Sequence, residues 1–175
     1  MIAIVIPYYK YTFFEATLQS LANQTDKRFK VYIGDDASDE NPINLLEKYK
    51  DKIDVTYHRF EKNLGRISLT KQWERCISLT NNEKWLMLLG DDDYVSPNFV
   101  AAYYKHLNEI ENLNIKVIHF AVQRIYMDGK PSRIYQHPKI ENATDNFFRK
   151  YFGDSHGSLS EQIFRKDAYI KKRFR

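Results

Sequence analysis

The sequence has little cysteine and no long apolar run. Cys76 is the only thiol in 175 residues, so the chain has no internal disulfide and no cysteine-rich metal centre. The longest apolar runs, at 2–6 and 85–89, are far shorter than the ~20 residues that a helix needs to cross a bilayer. No charged and apolar leader precedes a cleavage site. We therefore expect a cytoplasmic protein, with any membrane contact peripheral and at the inner face.

The sequence also lacks a strong excess of either charge. The formal net charge is +4 and the isoelectric point is near 9.0, which is too mild a bias for a dedicated nucleic-acid binder. We expect no nucleic-acid partner. The basic residues that gather near the C-terminus suit a solvated helix face or a contact with anionic lipid headgroups.

Glycine-rich phosphate loops are absent as well. The chain contains neither G-x-x-x-x-G-K-[ST] nor G-x-G-x-x-G, so it has neither a P-loop nor a dinucleotide-binding fingerprint. A nucleotide bound here would have to be held through a metal ion and side chains.

Short β-rich segments alternate with longer helical ones along the chain. Strands are predicted at 2–6, 30–33, 54–57, 84–89 and 116–122. Helices are predicted over 13–21 and 68–79, and after the cap-and-proline pairs Asn41-Pro42 and Ser96-Pro97. This order favours an α/β fold whose mostly parallel central sheet is flanked by helices, in a single domain over 1–175. A hairpin turn is predicted at 127–130, and the segment 132–165 is expected to be irregular.

Two acidic clusters follow predicted strands. One lies in "VYIGDDASDE" after the second strand and the other in "WLMLLGDDDY" after the fourth. Ligands of open α/β sheets bind at the carboxyl edge of the strands, and Mg²⁺ or Mn²⁺ takes one or two protein carboxylates together with substrate phosphates. Turn chemistry is the alternative interpretation, and it is about as strong for Asp35 and Asp36. Three consecutive acids at 91–93 favour a functional interpretation.

In their order and spacing, six stretches make the whole chain resemble the inverting family 2 glycosyltransferases of the GT-A fold. "VYIGDDASDE" matches the family's I-V-D-D-x-S, "LLGDDDYVSP" matches its D-x-D-D-x-x-x-P, and "EQIFRKDAY" matches its late Phe-Arg-Arg-Glu stretch. The other three are "IAIVIPYYK", "LQSLANQT" and "NLG". The resemblance implies transfer of a sugar from a nucleotide diphosphate, with UDP-sugar as donor and Mn²⁺ or Mg²⁺ as cofactor. It also implies a saccharide or lipid-linked acceptor, as in the synthesis of cell-envelope polysaccharides.

The resemblance implies roles for residues on the donor side. Pro7 and Tyr9 would lie along the base, and Asp36 would accept the hydrogen bond of the pyrimidine N3–H, which uracil has and cytosine lacks. Asp91 would contact the ribose or a metal-bound water, and Arg66 would stand by the diphosphate.

Asp92 would bind the metal, with Asp93 as second choice. Gly90 replaces the first Asp of the family motif. If the segment is extended, side chains alternate, so Asp91 and Asp93 would share one side and Asp92 would lie on the other. A turn at this point would change that arrangement.

The catalytic base is not assigned by the sequence. A carboxylate has to deprotonate the acceptor hydroxyl, and in the family it usually follows the Phe-Arg stretch by some tens of residues. Glu161 and Asp154 are weak candidates in the late region. We therefore expect a donor-binding part, residues 1–95, joined to the start of an acceptor-side part, 96–175, that binds nucleotide but turns over slowly.

Two other functions stay open. A nucleotidyltransferase shares the sheet and the metal chemistry, although "PYYKYTFF" lacks the glycines of its usual first loop. A non-catalytic nucleotide- or cation-binding homologue would keep the fold alone. His106 and His119 have no partner at ligand spacing in the sequence, so packing or surface roles are expected for them rather than zinc binding.

Overall fold

The structure is a computed structural model that describes residues 1–153 and 157–172, without the side chains of the last two. The helices and strands follow one another in the order β1 (Ile2–Tyr8), α1 (Phe14–Ala22), β2 (Phe29–Asp35), α2 (Ile43–Tyr49), β3 (Val55–Arg59), α3 (Leu69–Ile77), β4 (Trp85–Leu88), α4 (Phe99–Asn112), β5 (Val117–His119), α5 (Ala143–Tyr151), the 3₁₀ turn η1 (Leu159–Glu161), β6 (Gln162–Arg165) and α6 (Lys166–Lys172).

The described strands form one sheet in the order β3-β2-β1-β4-β6-β5. The first four are parallel, and β6 runs antiparallel to both of its neighbours. This confirms the predicted α/β fold with its mostly parallel sheet. Because β1 lies between β2 and β4, the carboxyl ends of these three strands meet at one edge.

Residues of β1 alternate between two hydrophobic layers, as the pleat of a strand requires. Ile4 packs with α1, α2 and α4 on one face, whereas Val5 packs with α3 on the other. Cys76 of α3 is fully buried, as expected for a helix core position, and burial raises the pKa of its thiol to about 12. Only glycine fits opposite it in β2, because a Cβ on Gly34 would lie 2.4 Å from Cys76 Sγ.

The sequence-based prediction failed in the segment 132–165, which is not irregular throughout. It contains α5, η1 and β6. Helix α5 has a local start signal that was overlooked, since Asn142 Oδ1 accepts a hydrogen bond of 2.9 Å from the Asp145 amide. Strand β6 is four residues long and owes its pairing to distant partners, which a local pattern does not reveal. The turn at 127–130 is confirmed, with Gly129 at φ 78.

The start of α4 also differs from the prediction. The helix begins at Phe99, two residues later than the Ser96-Pro97 signal indicated, and the Ser96 hydroxyl binds Asn98 Oδ1 instead of a helix amide. Gln24, which is distant in sequence, binds the N-terminus of α4 instead. Its Oε1 accepts a 3.0 Å hydrogen bond from the Val100 amide.

Candidate functional site

A cavity of about 290 Å³ opens at the carboxyl edge of β1, β2 and β4. Its walls come from the loops after β1 and β4, from the start of α3 and from η1, and they include Pro7, Tyr9, Lys10, Asp36, Leu69, Gln72, Trp73, Gly90, Asp91, Asp92 and Ser160. The structure thus brings Pro7, Tyr9, Asp36, Asp91 and Asp92 together from three separate stretches of sequence.

Asp36 lies at the β2 side of the cavity and is almost fully buried. Its Oδ1 accepts a hydrogen bond of 2.7 Å from the Leu64 amide, and its Oδ2 accepts one of 2.9 Å from the Gly65 amide. Gly65 has to be a glycine, because a Cβ there would approach Asp36 Oδ2 to 2.6 Å. The "NLG" stretch therefore serves to orient this carboxylate.

Arg75 compensates the charge of Asp36, and this pair was not predicted from the sequence. One guanidinium nitrogen of Arg75 binds Asp36 Oδ1 and lies 2.9 Å from Lys62 O. The guanidinium also stacks over the Phe60 ring at 3.9 Å. The residue stands three positions after Gln72 on α3, so a helical-face argument that started from the cavity would have found it.

The neighbouring Asp35 has a structural role. Its side chain is fully buried and accepts hydrogen bonds from Tyr57 Oη at 2.6 Å and Arg59 Nη1 at 2.8 Å. Burial, followed by the hydrogen bond to Asp35, raises the pKa of Tyr57 to about 12. The Ser38 amide donates to the same carboxylate at 2.8 Å. Of the two acids after β2, only Asp36 lines the cavity.

Asp91 joins the loops that follow β1 and β4. Its Oδ2 accepts hydrogen bonds of 2.7 Å from the amides of both Tyr9 and Lys10. Burial raises the pKa of Asp91, although these two amides oppose the shift. The carboxylate therefore positions the loop after β1 through Oδ2, and the two amides do not use Oδ1.

Asp92 and Asp93 converge because the chain turns at this point. The Asp93 amide donates to Gly90 O at 3.2 Å, so the segment is not extended and the side chains do not alternate. A methyl group on Gly90 would lie 2.9 Å from Asp92 Oδ1 and 2.8 Å from Asp93 Oδ2. Both carboxylates thus fold back over the glycine, which explains why this chain has no side chain at the first position of the acidic motif.

Ser160 of η1 contacts the turn formed by residues 90–93, which we call the acidic turn. This contact was not predicted from the sequence. Its hydroxyl oxygen accepts a 3.1 Å hydrogen bond from the Gly90 amide, and the hydroxyl donates to Asp93 Oδ2. The strand pair β4–β6 places η1 beside the turn. A serine 70 residues further along the chain gives no local signal for this contact.

Other predicted residues lie elsewhere. Arg66 is exposed, its amide bonds Asn63 Oδ1 at 2.9 Å, and it is not among the residues that line the cavity. Asp154 lies outside the described residues. Glu161 is fully buried and faces two histidines, at 3.7 Å from His119 Nδ1 and 3.8 Å from His137 Nε2.

The acidic turn suits a divalent cation. Asp92 and Asp93 offer exposed, hard carboxylate oxygens that share one small space above a glycine, and such oxygens are the ligands that Mg²⁺ and Mn²⁺ prefer. Two adjacent carboxylates repel each other, so a cation between them removes an unfavourable interaction. The donor set therefore fits the predicted metal.

The sequence model of glycosyl transferase family 2 matches residues 3–171. The chain belongs to this family. A Haemophilus influenzae protein described as an uncharacterized glycosyltransferase is 30% identical over 172 residues, which cover 98% of this chain and 55% of that protein. Chondroitin synthase of Pasteurella multocida is 36% identical over 66 residues, or 37% of this chain and 7% of the synthase.

Solved structures show the same GT-A glycosyltransferase fold. TarS 1–349 of S. aureus has a TM-score of 0.75 at 19% identity, with 97% of this chain and 48% of TarS 1–349 covered. The complex of TarS 1–349 with UDP-GlcNAc has a TM-score of 0.76, again at 19% identity, with 97% and 46% covered. The H. influenzae protein and TarS 1–349 match nearly all of this family 2 chain, which spans about half of their length. Among the described residues, none of its helices has the length and apolarity of a membrane span.

Proposed function

We propose that this family 2 glycosyltransferase chain binds a UDP-sugar in the cavity at the carboxyl edge of its sheet and transfers the sugar with inversion. The observation that carries the proposal is the composition of that one cavity, where Asp36 stands at the β2 side and the acidic turn stands at the β4 side. A nucleoside diphosphate has a polar base at one end and a charged diphosphate at the other. The complex of TarS with UDP-GlcNAc supports the choice of donor, because TarS shares the fold.

Uracil recognition is assigned to Asp36, with Pro7 and Tyr9 along the base. The hydrogen bonds that Asp36 accepts from Leu64, Gly65 and Arg75 use two acceptor positions on Oδ1 and one on Oδ2. A carboxylate has about four such positions, so Oδ2 can accept one further hydrogen bond from an N–H group. Uracil N3–H supplies it, whereas cytosine presents a lone pair there that a carboxylate repels.

The diphosphate side is assigned to the acidic turn, where Asp92, supported by Asp93, would hold Mn²⁺ or Mg²⁺. When bound, such an ion stabilises the negative charge that develops on the departing diphosphate. Asp91 holds the β1 loop against the turn, and Ser160 fixes the Asp93 carboxylate. Arg66 is exposed at the start of the segment before α3, from which its long side chain would reach the phosphates only if it turned inward.

The base for the acceptor hydroxyl stays unassigned among the described residues. Glu161, a weak candidate from the sequence, is fully enclosed and faces His119 and His137 instead of the cavity. We therefore keep the hypothesis that the 175-residue chain binds its donor but transfers slowly. We propose the same division into a donor part, 1–95, and the start of an acceptor part, 96–175. The one change is that Ser160 of the second part also lines the donor cavity.

The acceptor is proposed to be a saccharide or a lipid-linked saccharide, used at the inner face of the membrane. The aromatic face of α5 supports this location, because Phe147, Phe148, Tyr151 and Phe152 are all at least half exposed. Aromatic side chains beside basic ones suit the boundary between water and lipid headgroups. Sedimentation with anionic lipid vesicles tests the location, and a Phe147→Ser/Tyr151→Ser variant that binds vesicles as well as the wild type would contradict it.

Product analysis with UDP-sugar labelled in the sugar tests the reaction. With Mn²⁺, the proposal expects labelled sugar on water or on an added saccharide, together with UDP. With pyrophosphate added, a nucleotidyltransferase would instead transfer the uridylyl group to pyrophosphate, forming UTP and releasing the label as sugar phosphate. A non-catalytic homologue would leave the label in the donor over any incubation time, and that result would remove the enzymatic part of the proposal while leaving donor binding to be measured separately.

A further inference from the structure

Three side chains with metal-binding atoms meet on the acceptor side of the sheet, away from the acidic turn. His119 ends β5, His137 lies in the segment between β5 and α5, and Glu161 ends η1. One ligand atom from each residue lies within 4.8 Å of the other two. The sequence-based expectation that His119 only packs is therefore incomplete, because its partners are 18 and 42 positions away in the chain.

The two separations from Glu161 are close to those of a metal site, whereas the two histidine nitrogens, within 4.8 Å of each other, would have to approach by up to about 1.4 Å. Glu161 Oε1 lies 3.7 Å from His119 Nδ1 and 3.8 Å from His137 Nε2. Ligand bonds of 2.0–2.2 Å in a tetrahedral zinc site put neighbouring ligand atoms about 3.4 Å apart. These distances are too long for hydrogen bonds and only a few tenths of an ångström too long for joint coordination.

The two ring nitrogens that face Glu161 are buried polar atoms without a hydrogen-bond partner among residues 1–153 and 157–172. The side chain of His137 is 6% exposed and that of Glu161 is 0% exposed. A buried polar group without a partner costs about 1–3 kcal/mol, so two such nitrogens aimed at one carboxylate point to a cation that binds all three groups.

We propose that His119, His137 and Glu161 form a zinc-binding site that fastens the segment after β5 to the edge of the sheet. Two imidazoles and one carboxylate are a ligand set that zinc accepts and that magnesium does not prefer. The site is separate from the acidic turn, which offers oxygen ligands alone. Because Glu161 is adjacent to Ser160, zinc would also steady the serine that contacts Asp93.

Zinc binding at Nε2 of His137 requires a change at the other ring nitrogen, which then carries the hydrogen. Arg149 Nη2 now lies 3.2 Å from that nitrogen, and it also binds Glu141 Oε1 at 2.6 Å. An arginine cannot accept a hydrogen bond. On zinc binding, Arg149 therefore has to give way, and Glu141 is the carboxylate at hand to accept the Nδ1 hydrogen of His137.

The test is the zinc content of the full chain after dialysis against zinc and then against metal-free buffer, measured by mass spectrometry. Competition with a chromophoric chelator gives the affinity, and visible absorption of the Co²⁺-loaded chain reports nitrogen ligands. The proposal expects one equivalent of zinc. His119→Gln and His137→Gln should each weaken zinc affinity at least tenfold, because even the loss of a second-shell partner costs about 10–100-fold.

Two controls separate this site from other binding. His106→Gln removes an exposed histidine that pairs with Glu109 and should keep the zinc, and Asp92→Asn should keep it as well. A wild-type chain without stoichiometric zinc would overturn the proposal, whatever the variants do. Equal zinc in the wild type and in folded His119→Gln and His137→Gln chains would overturn it too. Neither result depends on UDP binding, so the proposed donor site is judged separately.

Discussion

At the scale of single residues, the acidic turn depends on a glycine. We expect Gly90→Ala to weaken Mn²⁺-dependent UDP binding at least tenfold, which is about 1.4 kcal/mol. The reason is that a methyl group would lie 2.8 and 2.9 Å from oxygens of Asp93 and Asp92, so at least one carboxylate has to move. Calorimetric titration measures the effect. The control is Gly129→Ala, whose methyl group would meet none of the described residues within 4 Å and, at φ 78, would strain only the turn at 127–130. Equal losses of UDP affinity in both variants would contradict the explanation.

Asp91 gives a prediction about pH at the same scale. Burial raises its pKa in the folded chain, so the stability it contributes is present below the unfolded value of about 3.9 and is lost as the pH rises through the folded value. Asp91→Asn stays neutral and keeps an oxygen for the amides of Tyr9 and Lys10. We therefore expect the variant to gain stability relative to the wild type as the pH rises from below about 3.9 through the raised pKa of Asp91 in the folded chain.

Urea unfolding at several pH values, without metal or nucleotide, measures this change. Asp128→Asn is the matched control with the opposite sign, because the hydrogen bond from Lys130 lowers the pKa of Asp128. That variant should lose stability relative to the wild type as the pH rises. A constant difference between Asp91→Asn and the wild type at every pH would show that the carboxylate is not penalised by burial.

The residues of the site were predictable where one stretch of sequence carries the signal. Asp36 and Asp92 stand in acidic clusters directly after strands, and both line the cavity. Arg75 and Ser160 were missed because their contacts join the site only through the packing of α3 and the pairing of β6 with β4. Side chains at 91–93 would alternate only if the segment were extended. The hydrogen bond from the Asp93 amide to Gly90 O shows that the chain turns there instead.

At the scale of elements, one side chain ties α1 to the start of α4. Gln24 Nε2 donates to Ser20 O at 3.0 Å and to Ser96 O at 2.7 Å, and its Oε1 accepts from the Val100 amide. Because Gln24 is buried, Gln24→Leu leaves these groups without partners. We expect a loss of about 1–3 kcal/mol in the free energy of unfolding, measured by urea denaturation. Gln19→Leu, at an exposed position of α1, should cost much less, and equal costs would argue against a specific role of Gln24.

The elements show what a local pattern can and cannot predict. The four parallel strands were predicted because short β-rich segments alternate with longer helical ones. Strand β6 was missed because its four residues pair antiparallel with β4 and β5, which are distant in sequence. Strand β5 ends at His119, earlier than predicted, because its antiparallel partner β6 begins only at Gln162, after the 3₁₀ turn η1.

At the scale of the whole molecule, the sheet brings distant parts of the chain together at one edge, where the candidate site lies. Parallel strands β1, β2 and β4 end together, so the loops at 7–10, 36 and 90–92 meet in one cavity with Ser160. The position of two acidic clusters directly after predicted strands indicated this edge in the sequence. It could not supply the contacts between the motifs, which depend on side-chain packing in three dimensions.

Calorimetric titration of the chain with UDP tests the proposed donor site. It should be run with Mn²⁺, then with EDTA, and then with Mn²⁺ and the Asp92→Asn variant, with CDP as the competing nucleotide. We expect UDP binding to require Mn²⁺ and to be stronger than CDP binding. Asp92→Asn should lower the affinity for UDP at least about tenfold. UDP binding of equal strength with EDTA and in the variant, or no binding at all, would contradict the claim that the acidic turn and Asp36 form a nucleotide-sugar site.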